Sequence, residues 1–290
     1  MTTTQRLDGR ERAIDIPGAT LAAKTWGEVD GLPVLASHGW LDNAATFDRL
    51  APLMADKLHI VSIDFPGHGQ SDHLARGSSY HFVDLVPTIF DVADSLGWER
   101  FRVLGHSMGA VASTLAAGTL PDRIERLALI DGLGPTTTEP ELAPAQLADA
   151  IGERKELLTK SSRVFESREA ARKTIGEIYQ LTTDEVAPLM ERGLEQTDAG
   201  WQLTYDLALR ATSMLRLTDA HVRAFFGRIE APVLLIRPEN GWPVDPDRME
   251  EQMSWIDDLT LRKVAGNHHA HLAHPEAIAD AVRDFLVAPI

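Results

Sequence analysis

The chain has 290 residues, 44% of them hydrophobic and 24% charged, enough for one large α/β domain with an inserted piece or for two small domains, and unlike a disordered or fibrous chain. A formal net charge of −15 argues against a nucleic-acid or anionic-membrane surface, and the absence of cysteine excludes disulfides, cysteine zinc sites and thiol nucleophiles. The opening MTTTQRLDGRER lacks the apolar core of a secretory signal, and no apolar run nears the roughly 18 residues of a membrane span, so a soluble, cytoplasmic protein is expected.

Residues 11–28 read as an antiparallel hairpin turning at IPGA. Short apolar runs follow: LPVLAS (32–37), LHIVSID (58–64), FRVLGH (101–106), LALID (127–131) and VLLIR (233–237). Such runs suit strands buried on both faces of a parallel sheet. Helical patterns separate them at 46–55, 80–97, 108–119 and 275–287, and the alternation predicts a doubly wound α/β core. Residues 134–229 break the rhythm. After the linker-like GLGPTTTEPELAP they carry amphipathic helical pattern, as in PAQLADAIGERKELLTK, with no strong buried strand. They are predicted to form a helical cap inserted after strand 6, leaving 1–133 and 230–290 as the core.

The motifs that carry chemistry lie at the ends of the apolar runs. His38-Gly39-Trp40 follows LPVLAS, and Asp42 and Asn43 are placed to brace that loop. Gly67-His68-Gly69 reads as a turn over the sheet edge, with Asp72 bonding locally. Gly105-His106-Ser107-Met108-Gly109 sits between the strand FRVL and the helical AVASTLAAG, a G-x-S-x-G in strand–turn–helix context. Its glycines let strand and helix pass close together, and the serine is lifted into the open on a strained turn. Ser107 is therefore the candidate nucleophile. An acyl-transfer oxyanion needs two preorganised donors, for which the Met108 and Trp40 backbone N–H groups are placed.

These stretches, HGWLDNAATFDRL, DFPGHGQSD, GHSMGA, LALIDGLGP and NHHAHLAHPE, resemble the α/β-hydrolase family, and most closely its serine hydrolase-like branch. The resemblance implies an α/β-hydrolase fold, a mostly parallel sheet flanked by helices with a cap after strand 6. One departure is Ala110, where many relatives carry a third glycine. The resemblance also places a general base in the loop after the last strand. Setting His274-Pro275-Glu276 against the family's final helix makes His268 the base, with His269 the alternative by one residue; His271 and His274 read as cap or packing residues. No metal is expected, because H-E-x-x-H is missing and no acidic ligand interleaves these histidines before Glu276.

The family's usual acid position, in the loop after VLLIR, is Gly241. Some α/β-hydrolases carry the acid one strand after the nucleophile instead, and the resemblance then points to Asp131 at the end of LALI. Glu239 and, less favoured, Asp245 are the alternatives, and Asp131 as a mere turn cap at the cap's hinge is the plain structural reading. His38, His106, Trp201 and Trp242 are candidate substrate-pocket residues, with Trp40 and Phe47 also considered; each serves equally as packing. The activity implied is a cofactor-free serine esterase of the carboxylesterase type, acting on a small-molecule ester. Thioesterase, lactonase and amidase chemistry fit the same fold. The rival from another class is a non-catalytic small-molecule-binding scaffold, for which Gly241 speaks. The oligomeric state is not legible.

Overall fold

The computed structural model describes residues 9–289. Most of the N-terminal stretch read above for a signal, residues 1–8, lies outside them. Strands β1 (Arg10–Ile16) and β2 (Ala19–Trp26) form the expected hairpin, turning at Gly18 with φ of 86°. Then come β3 (Leu32–Ser37), β4 (Leu58–Ile63), helix α1 (Leu85–Ser95), β5 (Phe101–His106), α2 (Met108–Thr119) and β6 (Ile124–Ile130). The inserted region holds α3 (Ala143–Leu157), β7 (Val164–Phe165), α4 (Arg168–Tyr179), α5 (Ala187–Arg192), β8 (Leu194–Thr197), β9 (Gly200–Leu203) and α6 (Asp219–Phe226). The chain closes with β10 (Val233–Asn240), α7 (Pro246–Met253), β11 (Leu259–Asn267), the short α8 (Ala270–Ala273) and α9 (Pro275–Val287). Among the described residues, no helix is long and apolar enough to cross a membrane.

The main sheet runs β1-β2-β4-β3-β5-β6-β10-β11, parallel from β4 through β11 and antiparallel at the hairpin end. Every residue of β4 and β5 is buried, which explains their unbroken apolar runs: helices cover both faces. Alternate residues feed the two cores. Leu35, Val103, Leu127 and Leu235 join α1, α2 and α6, while Val34, Leu104, Ala128 and Leu234 join α9 and the segment around Phe47. The chain leaves β3 for β4 on one side and later returns as β5 on the other. The carboxyl ends of β3 and β5 therefore flank a topological switch point, where open α/β sheets bind ligands.

Three expectations change. Residues 46–55 make two 3₁₀ turns, Ala44–Phe47 and Ala51–Leu53, because Pro52 supplies no N–H and disfavours helical backbone at Ala51. The inserted region is not helical throughout. β7, β9 and β8 form a small antiparallel sheet, and Phe165, Leu189 and Leu194 pack with Leu272 of the core domain. Finally, Val222 and Phe226 of α6 pack into the main core beside α2, so by packing the inserted region ends before α6 rather than at residue 229.

A buried ion pair ties the inserted region to the core. Asp64 is fully buried and accepts from the Ala44 N–H at 2.6 Å, the Gln70 N–H at 2.8 Å and Nε of Arg192 at 3.0 Å. Arg192 closes α5 and also reaches Glu11 at 2.6 Å. Arg192→Met removes one member of this pair and leaves the Asp64 charge uncompensated. A loss of about 3–5 kcal/mol is expected in urea unfolding. A loss below about 1 kcal/mol, the range of exposed pairs, would contradict the anchoring role.

Candidate active site

Ser107 stands between β5 and α2 with φ of 51° and ψ of −117°, a strained backbone for a residue with a side chain. The flanking glycines are required by contact. A Cβ at Gly105 would lie 2.5 Å from Cα of Ala110, and one at Gly109 would lie 2.3 Å from the Ser37 carbonyl oxygen. Ala110, the departure from the family pattern, is fully buried inside α2, where a methyl group fits. Met108 opens α2, so its N–H has no acceptor within the helix, and the helix dipole adds positive potential there.

His268 follows β11 and brings its ring to the serine. Its Nε2 lies 2.9 Å from Ser107 Oγ and its Nδ1 lies 2.5 Å from Asp131 Oδ2. With Nδ1–H donating to the carboxylate, Nε2 presents a lone pair to the serine hydroxyl. Asp131 follows β6 with φ of 49°, and its amide donates to the Ile236 carbonyl at 2.9 Å. The carboxylate is almost wholly buried and fully engaged. Oδ1 accepts from the Arg237 guanidinium, and Oδ2 accepts from the Trp242 amide at 2.7 Å as well as from His268.

Gly241 now has a physical reason. A Cβ there would lie 2.5 Å from both Asp131 carboxylate oxygens. The position after β10 is bare because a carboxylate from β6 occupies the space. Gly241→Ala would push that carboxylate off His268 while leaving the fold's core untouched. A fall in kcat of about 10²-fold is expected, the scale of a misplacement near 1 Å. Unchanged kcat would show that the tight fit is without consequence.

The other sequence candidates divide. Glu239 is exposed near the end of β10 and stays off the cavity wall; Asp245 is the N-cap of α7, accepting from the Arg248 amide at 3.0 Å. His38 is wholly buried beneath the loop it begins. Its Nε2 accepts from the Phe65 amide at 3.0 Å, and burial lowers its pKa to about 4. Trp201 sits in the small sheet under the Arg168 guanidinium. Neither His38 nor Trp201 lines the cavity, and Phe47 is core. Trp40, His106 and Trp242 do line it, and the Trp40 indole donates to the Leu209 carbonyl at 2.9 Å, joining the oxyanion-loop candidate to the inserted region. His269 lies 3.3 Å from Asp42 and makes no bond to Ser107; His271 is buried against Thr46 at 2.8 Å; His274 caps α9.

One contributor, Arg237, escaped the sequence reading, and the pocket candidate His106 has a contact that the sequence does not show. Arg237 lies within β10 directly after its buried apolar run, where a guanidinium must find a counter-charge, and that signal was available. His106 donates from Nε2 to the His268 carbonyl at 3.0 Å and so holds the backbone of the candidate base; nothing local announces this. Burial lowers the His106 pKa to about 4, leaving the ring neutral near pH 7.

A family model described as the alpha/beta hydrolase fold matches residues 33–275. The chain belongs to this family, in its serine hydrolase-like branch. This α/β-hydrolase is 30% identical to a serine hydrolase-like protein of Danio rerio over 98% of its own length and 90% of the relative's. It is 31% identical to serine hydrolase-like protein 2 of Homo sapiens, over 95% and 93% of the two chains. A solved structure of a hypothetical protein from Pseudomonas aeruginosa PAO1 is 42% identical, with a TM-score of 0.91 and coverage of 96% and 98%. In this α/β-hydrolase the Ser107–His268 pair opens onto a cavity of about 1470 Å³ between the sheet edge and the inserted region. Core residues Met108, Val111 and Leu235 line it together with Phe165, Ile178 and Met190 from above.

Proposed function

We propose that this α/β-hydrolase cleaves the carboxylic ester of a small or medium acyl substrate through an acyl-enzyme at Ser107. The observation that carries the reading is the unbroken chain of hydrogen bonds from Asp131 through His268 to Ser107 at the wall of a large, mainly apolar cavity. Ser107 Oγ attacks the carbonyl carbon as its proton passes to His268 Nε2, and the carbonyl electron pair moves onto oxygen. The Met108 and Trp40 N–H groups receive that oxyanion, helped by the positive end of α2. Collapse breaks the ester bond, and His268 returns its proton to the departing alcohol. Water then attacks the acyl-enzyme with His268 again as base, releasing the acid and restoring Ser107. Asp131 holds the imidazole tautomer and stabilises the imidazolium. These steps use no cofactor.

The apolar lining suits an acyl chain, with the reacting carbonyl at the polar floor. Gly241, which favoured a non-catalytic scaffold in the sequence, loses that weight because Asp131 fills its place. The test combines a fluorophosphonate probe with p-nitrophenyl esters of graded acyl length and thioester, lactone and amide controls. Labelling at Ser107 and a maximum within the ester series are expected. A chain that neither labels nor turns over any member is a binding scaffold, and preferential cleavage of a control reassigns the substrate bond.

A further inference from the structure

Behind the catalytic histidine lies a second cluster that the reaction above does not use. Asp42 comes from the loop after β3, His106 from the end of β5 and His269 from the loop after β11. All three are buried, yet all three border the cavity. The Asp42 Oδ2 atom lies 3.5 Å from His106 Nδ1 and 3.3 Å from His269 Nε2, and the three ligand atoms lie within 4.8 Å of one another.

The tautomer of His106 makes this arrangement unusual. Its Nε2 faces the His268 carbonyl, which can only accept, so the proton of the neutral ring is on Nε2. Nδ1 then points a bare lone pair at a carboxylate. Among the described residues His106 Nδ1 has no hydrogen-bond partner, and the Asp42 Oδ2 it faces accepts from His269 Nε2 instead, at 3.3 Å. Two buried acceptors facing each other without a donor between them are costly. A cation satisfies both. The two distances to Asp42 Oδ2 also fit: ligands about 2.1 Å from a tetrahedral zinc stand about 3.4 Å from one another. A metal-ligating histidine commonly donates its other ring N–H to a backbone carbonyl, which is what His106 does.

We infer that Asp42 Oδ2, His106 Nδ1 and His269 Nε2 form a binding site for a divalent transition-metal ion of the zinc class, with its remaining position open toward the cavity. Two imidazoles and one carboxylate favour zinc or cobalt over magnesium or calcium, which prefer all-oxygen shells. Binding displaces the proton that His269 Nε2 otherwise shares with Asp42. The ion ties together three loops: those that begin the proposed oxyanion loop, the nucleophile turn and the base loop. Local spacing does not reveal it, because the acidic ligand lies far from the histidine-rich stretch.

The test uses untagged protein dialysed against Zn²⁺ or Co²⁺ and then against metal-free buffer. One retained ion per chain is expected, with the intense visible absorption of low-coordinate Co²⁺ and a higher Tm in the presence of Zn²⁺. His269→Gln and Asp42→Asn, each first checked for a cooperative metal-free melt, should weaken binding tenfold or more. His268→Gln, which removes the neighbouring catalytic ring, should bind as wild type does. Failure of the wild type to retain an ion overturns the proposal. So does binding unchanged in every folded variant of the pair, or binding lost in His268→Gln. If one of the pair does not fold, the other decides alone.

Discussion

Ser107→Ala is expected to abolish labelling by the fluorophosphonate probe and to remove nearly all ester turnover, with the melting temperature close to wild type. The substitution takes away the hydroxyl that lies 2.9 Å from His268 Nε2. It adds no volume, and the alanine side chain still has to occupy the strained backbone at φ of 51°. What survives is the acceleration that binding and the oxyanion donors supply to attacking water, about 10³–10⁴ over the uncatalysed reaction in serine hydrolases stripped of a triad member. Steady-state kinetics on the best p-nitrophenyl ester, with circular dichroism alongside, makes the measurement. A variant keeping a tenth or more of wild-type kcat would remove Ser107 from the mechanism.

The second large effect belongs to Asp131→Asn. An amide in that place donates where the carboxylate accepted, so His268 is driven to the tautomer whose Nε2 carries the proton and cannot take one from Ser107. A fall in kcat of about 10⁴ is expected, the size of the corresponding loss in an intact triad. Asp131 also neutralises Arg237 and accepts from the Trp242 amide, so stability has to be read beside activity. Some lowering of Tm is expected from the unpaired guanidinium, but a folded, inactive protein is the predicted product. Glu239→Gln is the control. Its side chain is exposed near the end of β10, and it should leave both kcat and Tm near wild type. A fully active Asp131→Asn beside an inactive Glu239→Gln would return the acid to the loop after β10.

The choice among Asp131, Glu239 and Asp245 marks where reading the sequence stops. Each carboxylate ends a strand or follows one, and local pattern ranks them only by resemblance. What separates them is pairing between distant strands. β6 and β10 run parallel with Ile130 beside Ile236, so the residues that follow, Asp131 and Arg237, emerge together at one edge. The missing side chain at Gly241 has meaning only against that neighbour. A glycine in a loop reads as a turn until the atom that needs its space is known.

The inserted region shows the same division. Its helical pattern is legible in PAQLADAIGERKELLTK, most of which forms α3. The β-strands at Val164–Phe165, Leu194–Thr197 and Gly200–Leu203 are not, since two- to four-residue strands carry too little periodicity to stand out. α7 was also missed, although Asp245-Pro246 is an N-cap followed by proline at the first helical position. The allocation of α6 needed the contacts of Val222 and Phe226, which amphipathic pattern alone does not assign to either partner.

By itself, the sequence determined the features whose causes are local. Strand runs buried on two faces are apolar throughout, helices repeat near 3.6, and a serine on a tight strand-to-helix turn needs glycines beside it. These give the doubly wound core, the candidate nucleophile and the adjacent Met108 donor. Tertiary structure alone decided the features that arise where separate segments meet. It brought Asp131 and His268 to Ser107, withdrew His38 and Trp201 from the cavity wall, and gathered Asp42, His106 and His269 into one buried cluster. The physical reason is range: backbone preference and burial act within a few residues, whereas hydrogen-bond geometry among side chains is set by strand register and loop closure across the whole chain.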